Sequence, residues 1–317
     1  VAKEDMEVDF YKSKQIKEFK HKTILFTSLL SNVNINDEYL NYIEPKNRQD
    51  MLKRHDRAAK WLEAENVEKR RSVEFKYFKG YSVEKPKGVF IHDLMFIYQL
   101  SLNADGTLNK YKVRTILRGF TFVPGRNYFE TFAPVTQIAS IKLFHVMVLH
   151  YGLDKYHIDV KAAFLVAKMD TDIWAKLPEG FTFEGGDLAR DNPRYVLLNK
   201  AIPGVKQGAY LWYTFFVEKL IEYGWERMKV EPCLFRYNRN STYALMLIHV
   251  DNGMVGTSDK LWLDKFMKEI KEHFILEYVA SDSLLGIRVE RVDRFTFKFD
   301  QEFYIESLLD EYKITSD

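Results

Sequence analysis

A single cysteine, Cys233, occurs in 317 residues. One thiol excludes an internal disulfide framework and a zinc site built on cysteines, and it suits a reducing compartment. No stretch is apolar for long enough to span a bilayer, and the opening VAKEDMEVDFYKSK lacks the apolar core of a signal peptide. These absences predict an intracellular, soluble chain with no membrane partner. A charge excess is lacking as well. With 47 basic and 45 acidic side chains the net charge is +2, so overall charge neither demands nor forbids nucleic acid and the distribution has to decide. Internal repeats and low-complexity linkers are absent. What is abundant is apolar: 46% hydrophobic and 15% aromatic content supports a large core in two or three domains or lobes.

Residues 1–87 read as a charged, largely helical extension, with Met51, Ala58, Trp61 and Leu62 at helical spacing on one face. From Gly88 the pattern turns strand-like. Asn103-Ala104-Asp105-Gly106 marks the turn of a β-hairpin. Between Thr107 and Phe129 there are five basic residues (Lys110, Lys112, Arg114, Arg118, Arg126) and no acidic one. Arg114 and Arg118, four apart in a strand, would share a face suited to polyphosphate, or simply line a solvated surface. Next come a helix over 138–151 ending at Gly152, a short strand over 155–160 and a Pro203-Gly204 break. A helix over about 207–223, three strands within MKVEPCLFRYNRNSTYALMLIHVDNGMVGTSD, a helix over about 260–273, a strand pair and a last helix complete the chain.

Two aspartates stand out. Asp159 ends the short strand, and Asp251 sits in an apolar run at a hairpin tip, where Asn252-Gly253 signals a tight turn. Two carboxylates on adjacent strands suit a two-metal site, with hard oxygen ligands holding divalent ions about 3.5–4 Å apart. Aspartate in a turn is equally a structural residue that caps backbone amides, and the residues by themselves leave both readings open.

From about Ala58 onward the chain resembles the reverse transcriptase domain of Ty1/copia-type long-terminal-repeat retrotransposons. The segments that carry the likeness, in the family's order, are DGTLNKYKVRTILRGFTFVPGRNYFETFAPV, HIDVKAAFL, DIWAKLPEGF, LLNKAIPGVKQGAYLWY, EPCLF, IHVDN, LLGIRVE and YIESLLDEY. The resemblance implies an α+β right-hand polymerase fold with fingers, palm and partial thumb, the palm an antiparallel sheet backed by helices. By the same likeness, residues 88–154 form the fingers hairpin and first palm helix, 155–300 the palm with a fingers insertion near 177–204, and 301–317 the start of the thumb. It implies RNA-directed DNA polymerase activity, a template-primer of RNA or DNA and a deoxynucleoside triphosphate as partners, and Mg²⁺ with Mn²⁺ as a substitute. A protein partner or an oligomer is a further expectation. The compartment implied is cytoplasmic or nuclear, a cytoplasmic particle for an active retroelement.

Residue by residue, the resemblance makes Asp159 and Asp251 the catalytic metal carboxylates, with the Val160 carbonyl as an extra ligand. Phe164 falls where an aromatic under the sugar would exclude a 2′-OH. Arg114 and Arg118 match residues that hold the triphosphate, where charge-assisted bonds are strong. Gly204 would let backbone approach the nucleotide, and Lys206 would reach a phosphate.

The departures are specific. The catalytic hairpin usually reads Tyr-(Val/Met)-Asp-Asp, whereas this chain has His249-Val250-Asp251-Asn252. Asn252 is nearly isosteric with aspartate but neutral, and its amide nitrogen repels a cation. Gly208-Ala209 replaces a usual Ser-Pro, and Ala162 a usual Asn. His249 could donate to phosphate or fill space. The family's ribonuclease H and integrase domains are not recognisable, and a short thumb is expected to lower processivity. Two functions follow: a polymerase, weakened or not by Asn252, or a catalytically dead relative that binds nucleic acid or protein.

Overall fold

A computed structural model describes residues 42–54, 57–102, 107–280 and 283–312. The helical expectation for 1–41 and the turn expected at Asn103–Gly106 lie outside the described residues. The first part of the chain runs through α1 (Arg48–Leu52), α2 (Ala58–Glu74), β1 (Phe78–Ser82), β2 (Ile91–Leu102), β3 (Leu108–Leu117), α3 (Ile138–His150), β4 (Asp154–Lys161) and α4 (Ala163–Val166). There follow β5 (Trp174–Lys176), α5 (Gly186–Asp191), β6 (Tyr195–Leu198), α6 (Gly208–Glu222), β7 (Glu226–Arg227), β8 (Leu234–Arg239), β9 (Thr242–His249) and β10 (Asn252–Thr257). The remainder is α7 (Lys260–Glu269), β11 (Ile275–Tyr278), β12 (Ser283–Leu284), β13 (Ile287–Arg291), β14 (Phe297–Asp300) and α8 (Glu302–Glu311). The class is α+β, as expected.

The described residues fall into two compact units: those within 42–67, 96–114 and 301–312 form one, and those within 68–95 and 115–300 the other. The first is organised around Trp61, which is fully buried. Its indole N–H donates to the Tyr42 hydroxyl at 2.8 Å, and Tyr98 and Tyr111 meet its ring edge-on. Glu65, also buried, accepts from the Tyr98 hydroxyl at 2.7 Å and pairs with Arg48 at 3.3 Å, the kind of partnering a buried carboxylate requires. Of the four residues expected on one helical face, Met51 and Trp61 are buried but on separate helices, α1 and α2, while Ala58 and Leu62 are half-buried, and the buried side of α2 carries the charge of Glu65 beside Trp61.

In the second unit a six-stranded antiparallel sheet has the order β11-β4-β10-β9-β8-β7. Residues 244–248 of β9 are buried without alternation, which marks a strand covered on both faces. Its cover includes Ile141, Phe144 and Val148 of α3, and Trp212, Phe216 and Leu220 of α6. Each such side chain contributes about 1.5–3 kcal/mol by leaving water. Both helices stop in the same way. Gly152 (φ +63°) and Gly224 (φ +87°) turn left-handed, the glycine N–H bonds Leu149 O or Ile221 O, and the next N–H bonds Val148 O or Leu220 O. A three-stranded sheet, β12-β13-β14, carries the expected strand pair.

A five-stranded sheet has the order β1-β6-β5-β2-β3. Its edge strand β1 lies in the stretch expected to be largely helical; Phe78–Ser82 pairs antiparallel with β6, a partner more than a hundred residues away. Two further expectations are corrected. Arg118 does not share a strand with Arg114, because β3 ends at Leu117 and Arg118 precedes a 3-10 turn, Gly119–Thr121. The tight turn is not Asn252-Gly253 either: His249 pairs with Asn252, so the two turn residues are Val250 and Asp251, and Asn252 and Gly253 already belong to β10. Gly253 is needed there because a Cβ would lie 2.7 Å from the Leu247 carbonyl oxygen.

Candidate active site

β4 is the strand that presents Asp159. Its neighbours Ile158 and Val160 are buried in the sheet, which leaves the aspartate half-buried on the β4 surface between β10 and β11. Asn252 lies directly opposite it on β10, and one step further the Val160 N–H donates to the Asp251 carbonyl at 2.7 Å. Asp159 thus sits on β4 and Asp251 in the turn between β9 and β10 rather than on a strand, tied to β4 through the Val160 amide.

The hairpin tip is strained and pinned. Val250 has φ +59°, a left-handed conformation that a β-branched residue rarely adopts. Trp212 Nε1 donates to the Val250 carbonyl at 2.9 Å, and Thr136 Oγ1 to the Ile248 carbonyl at 2.6 Å. These bonds come from α6 and from the segment before α3, so the core itself holds the tip in place. His249 beside it is half-buried, with Nδ1 buried and without a hydrogen-bond partner.

The charges at the site are partly answered from within. Lys161 Nζ lies 3.2 Å from an Asp159 oxygen and 3.3 Å from a Glu277 oxygen. Hydrogen bonds to Asp159 and Glu277 hold the Lys161 ammonium above its ordinary value. Asn252 Nδ2 points at Asp251 Oδ1 from 3.3 Å, so the amide presents its donor to the carboxylate. Neither Lys161 nor Glu277 was singled out by sequence reasoning. Lys161 was findable, being two residues from Asp159 on the same strand face; Glu277 was not, because only the pairing of β11 with β4 brings it opposite Asp159.

The phosphate-side candidates divide. Gly204 has φ +92° and abuts the end of β3; a Cβ there would meet the Leu117 carbonyl oxygen at 2.0 Å, and one on Gly119 would meet the Gly204 oxygen at 2.0 Å. That approach brings the Lys206 stem beside Gly119, next to Arg118. Lys206 Nζ lies 5.3 Å from the centre of the Tyr128 ring, a cation–π distance. Arg118 is exposed, with its N–H on the Asp93 carbonyl and its Nε 3.4 Å from Met95 Sδ. Arg114 is exposed on β3 within the first unit. Phe164, half-buried on α4, packs on the core beside Gly208, and Ala162 before it is left-handed at φ +55°. Gln207 was also missed: fully buried, it donates to the Asn127 carbonyl at 2.9 Å and ties the loop down.

Asp159 and Asp251 are hard oxygen donors, and that chemistry fits a divalent cation such as Mg²⁺. Among the described residues no group of three His, Cys, Asp or Glu side chains is assembled to hold a metal, so this pair stands without a third acidic partner. Two cavities of about 490 Å³ lie elsewhere, one lined by Phe75, Lys200 and Phe215 among others, the other by Lys85, Lys87, Phe90 and Arg126. Neither has Asp159 or Asp251 in its wall. No described helix is long and apolar enough to cross a membrane.

Residues 78–317 match the family described as reverse transcriptase (RNA-dependent DNA polymerase). Similar proteins include the retrovirus-related Pol polyprotein from transposon RE1 of Arabidopsis thaliana, 29% identical over 226 residues, which are 71% of this chain and 15% of that protein. The corresponding polyprotein from transposon TNT 1-94 of Nicotiana tabacum is 27% identical over 73% of this chain and 17% of its own length. That from transposon RE2 of Arabidopsis thaliana is 30% identical over 65% of this chain and 14% of its length. The chain thus spans less than a fifth of these relatives. A foamy viral protease-reverse transcriptase solved with double-stranded DNA aligns at a TM-score of 0.40 and 11% identity, over 78% of this chain and 35% of that one.

Proposed function

The chain belongs to the reverse transcriptase (RNA-dependent DNA polymerase) family, and from that premise we propose that it adds deoxynucleotides to a primer 3′-OH through Asp159 and Asp251. The observation that carries this reading is the register of β4 against β10, with Asn252 opposite Asp159 and the Asp251 carbonyl on the Val160 amide. In this reading the six-stranded sheet with α3, α6 and α7 is the palm, and β2, β3 and the segment through β6 are fingers. Asp159 and Asp251 would hold Mg²⁺, or Mn²⁺ in its place, with the Val160 carbonyl as the candidate third oxygen. A divalent ion there supplies Lewis-acid stabilisation of the charge that develops on phosphate oxygens.

The other roles belong to the chain. Arg118 and Lys206 neutralise the triphosphate, Arg through its planar fork and Lys as a point charge. Gly204 keeps the loop backbone close to β3 so that Lys206 stays in place. Phe164 closes the space a 2′-OH would occupy. An RNA or DNA template-primer is the macromolecular partner.

A second reading, a binding protein without nucleotidyl transfer, is favoured by one observation: both carboxylates already have internal partners, Lys161 on Asp159 and the Asn252 amide on Asp251. Primer extension with Mg²⁺ and with Mn²⁺ separates the two. Extension that Asp251→Ala abolishes supports the polymerase; a silent wild type and a silent Asn252→Asp, with template-primer still bound, support the binding protein.

A further inference from the structure

Asp159 has an in-register neighbour on each side: Asn252 on β10 and Glu277 on β11. Partners in register project to one face of a sheet, and so do residues i and i+2 of a strand, which places Asp159, Lys161, Asn252 and Glu277 together. On that face the side toward β10 carries no charge and the side toward β11 carries a carboxylate. Lys161 spans the gap, 3.2 Å from Asp159 and 3.3 Å from Glu277.

We infer that Lys161 is an internal counter-cation of this centre, and that Glu277 is its second acceptor. The two form a positioning pair that sets how readily a divalent ion reaches Asp159. The inference rests on reading Asp159 and Asp251 as the metal-binding carboxylates. Three observations support it. The Asp159 side chain is only 21% exposed, so water answers little of its charge and Lys161 takes water's place. Lys161 is 50% exposed on a flexible four-carbon stem, so it can withdraw without rearranging the core. Finally, no third acidic or His/Cys side chain among the described residues joins the carboxylates in a metal-holding group, so Glu277 acts through Lys161 and not on the ion. An ammonium and a divalent ion compete for the same Asp159 oxygen, and Glu277 gives the displaced ammonium somewhere to go.

The test is Mn²⁺ binding to the full chain, followed by water-proton relaxation with neither nucleic acid nor nucleotide present. Lys161→Met is expected to tighten binding about two- to fivefold, the range for removing a partly exposed ion pair. Glu277→Gln should weaken binding, because the ammonium then rests on Asp159 alone, and the double variant should match Lys161→Met. Tightening is not a result that damage to the fold produces. Unchanged or weaker binding in both Lys161→Met and Lys161→Gln overturns the inference. Equal weakening by Glu277→Gln with and without Lys161 overturns the part given to Glu277, which would then act on the ion directly. A different result, no Asp159-dependent Mn²⁺ binding in wild type or in Asn252→Asp, would overturn the metal-centre reading and the inference with it.

Discussion

Val250 holds φ +59° at the first position of a two-residue turn, where glycine is the residue that fits without strain. Such a conformation costs on the order of 1–3 kcal/mol, and glycine returns roughly 0.5–1 kcal/mol of that through its freer unfolded state. Val250→Gly is therefore expected to stabilise the protein by about 1 kcal/mol, read as a higher midpoint in urea with an unchanged slope. A loss of stability would mean that the valine side chain contributes more than its backbone costs. Cys233 is a second residue-scale case. Burial pushes its thiol up to about 12, so at pH 8 it is protonated and poorly nucleophilic. A thiol reagent should label it only after denaturation. What the sequence offered at this scale was the identity of Asp159 and Asp251. The strain at Val250 was hidden, because an Asn-Gly pair next door carries the stronger turn signal and register decides which two residues form the loop.

At the scale of elements, α3 shows how packing overrides simple expectation. His145 is 1% exposed, between Phe297 and Phe299 of β14, with Nδ1 2.7 Å from the Ile141 carbonyl. Burial lowers its pKa to about 4, the hydrogen bond to Ile141 opposing the shift in part. An unfolded histidine takes up its proton near pH 6.5 and the folded one does so only near pH 4, so this contribution is complete above about pH 6.5 and is lost as pH falls toward 4. The whole shift amounts to about 3 kcal/mol. Unfolding midpoints measured between pH 7 and pH 4 should fall for the wild type and fall less steeply for His145→Leu; parallel curves would refute the assignment. The contact of α3 with β10 is tight as well. A Cβ on Gly256 would lie 2.7 Å from Val148 Cγ2 and 3.3 Å from Leu153 Cδ1, so Gly256→Ala should destabilise by about 1–3 kcal/mol, with chemical denaturation as the readout. The helices and their glycine stops were legible because capping is local. Strand β1 was not, since its identity depends on Tyr195–Leu198, far along the chain.

For the whole molecule, 47 basic against 45 acidic side chains gives no bulk attraction to a polyanion. Any grip on template-primer comes from local distribution, such as the acid-free stretch from Thr107 to Phe129. Binding should accordingly weaken steeply with salt, the slope of log affinity against log salt scaling with the number of phosphates contacted; fluorescence anisotropy across a salt series checks it. The family was readable because eight motifs keep their order. Glu277 and Asn252 were not readable as neighbours of Asp159, since they flank it only when three strands align, whereas Lys161 was within reach two residues along the same strand. We read Asp159 and Asp251 as a nucleotidyl-transfer site attenuated by the neutral Asn252. Its most direct measurement is primer extension by wild type and Asn252→Asp over a Mg²⁺ series. A higher rate and a lower Mg²⁺ requirement in Asn252→Asp, both abolished by Asp251→Ala, are the predicted result; no extension by Asn252→Asp at any Mg²⁺ concentration, in a variant that still binds template-primer, would contradict it.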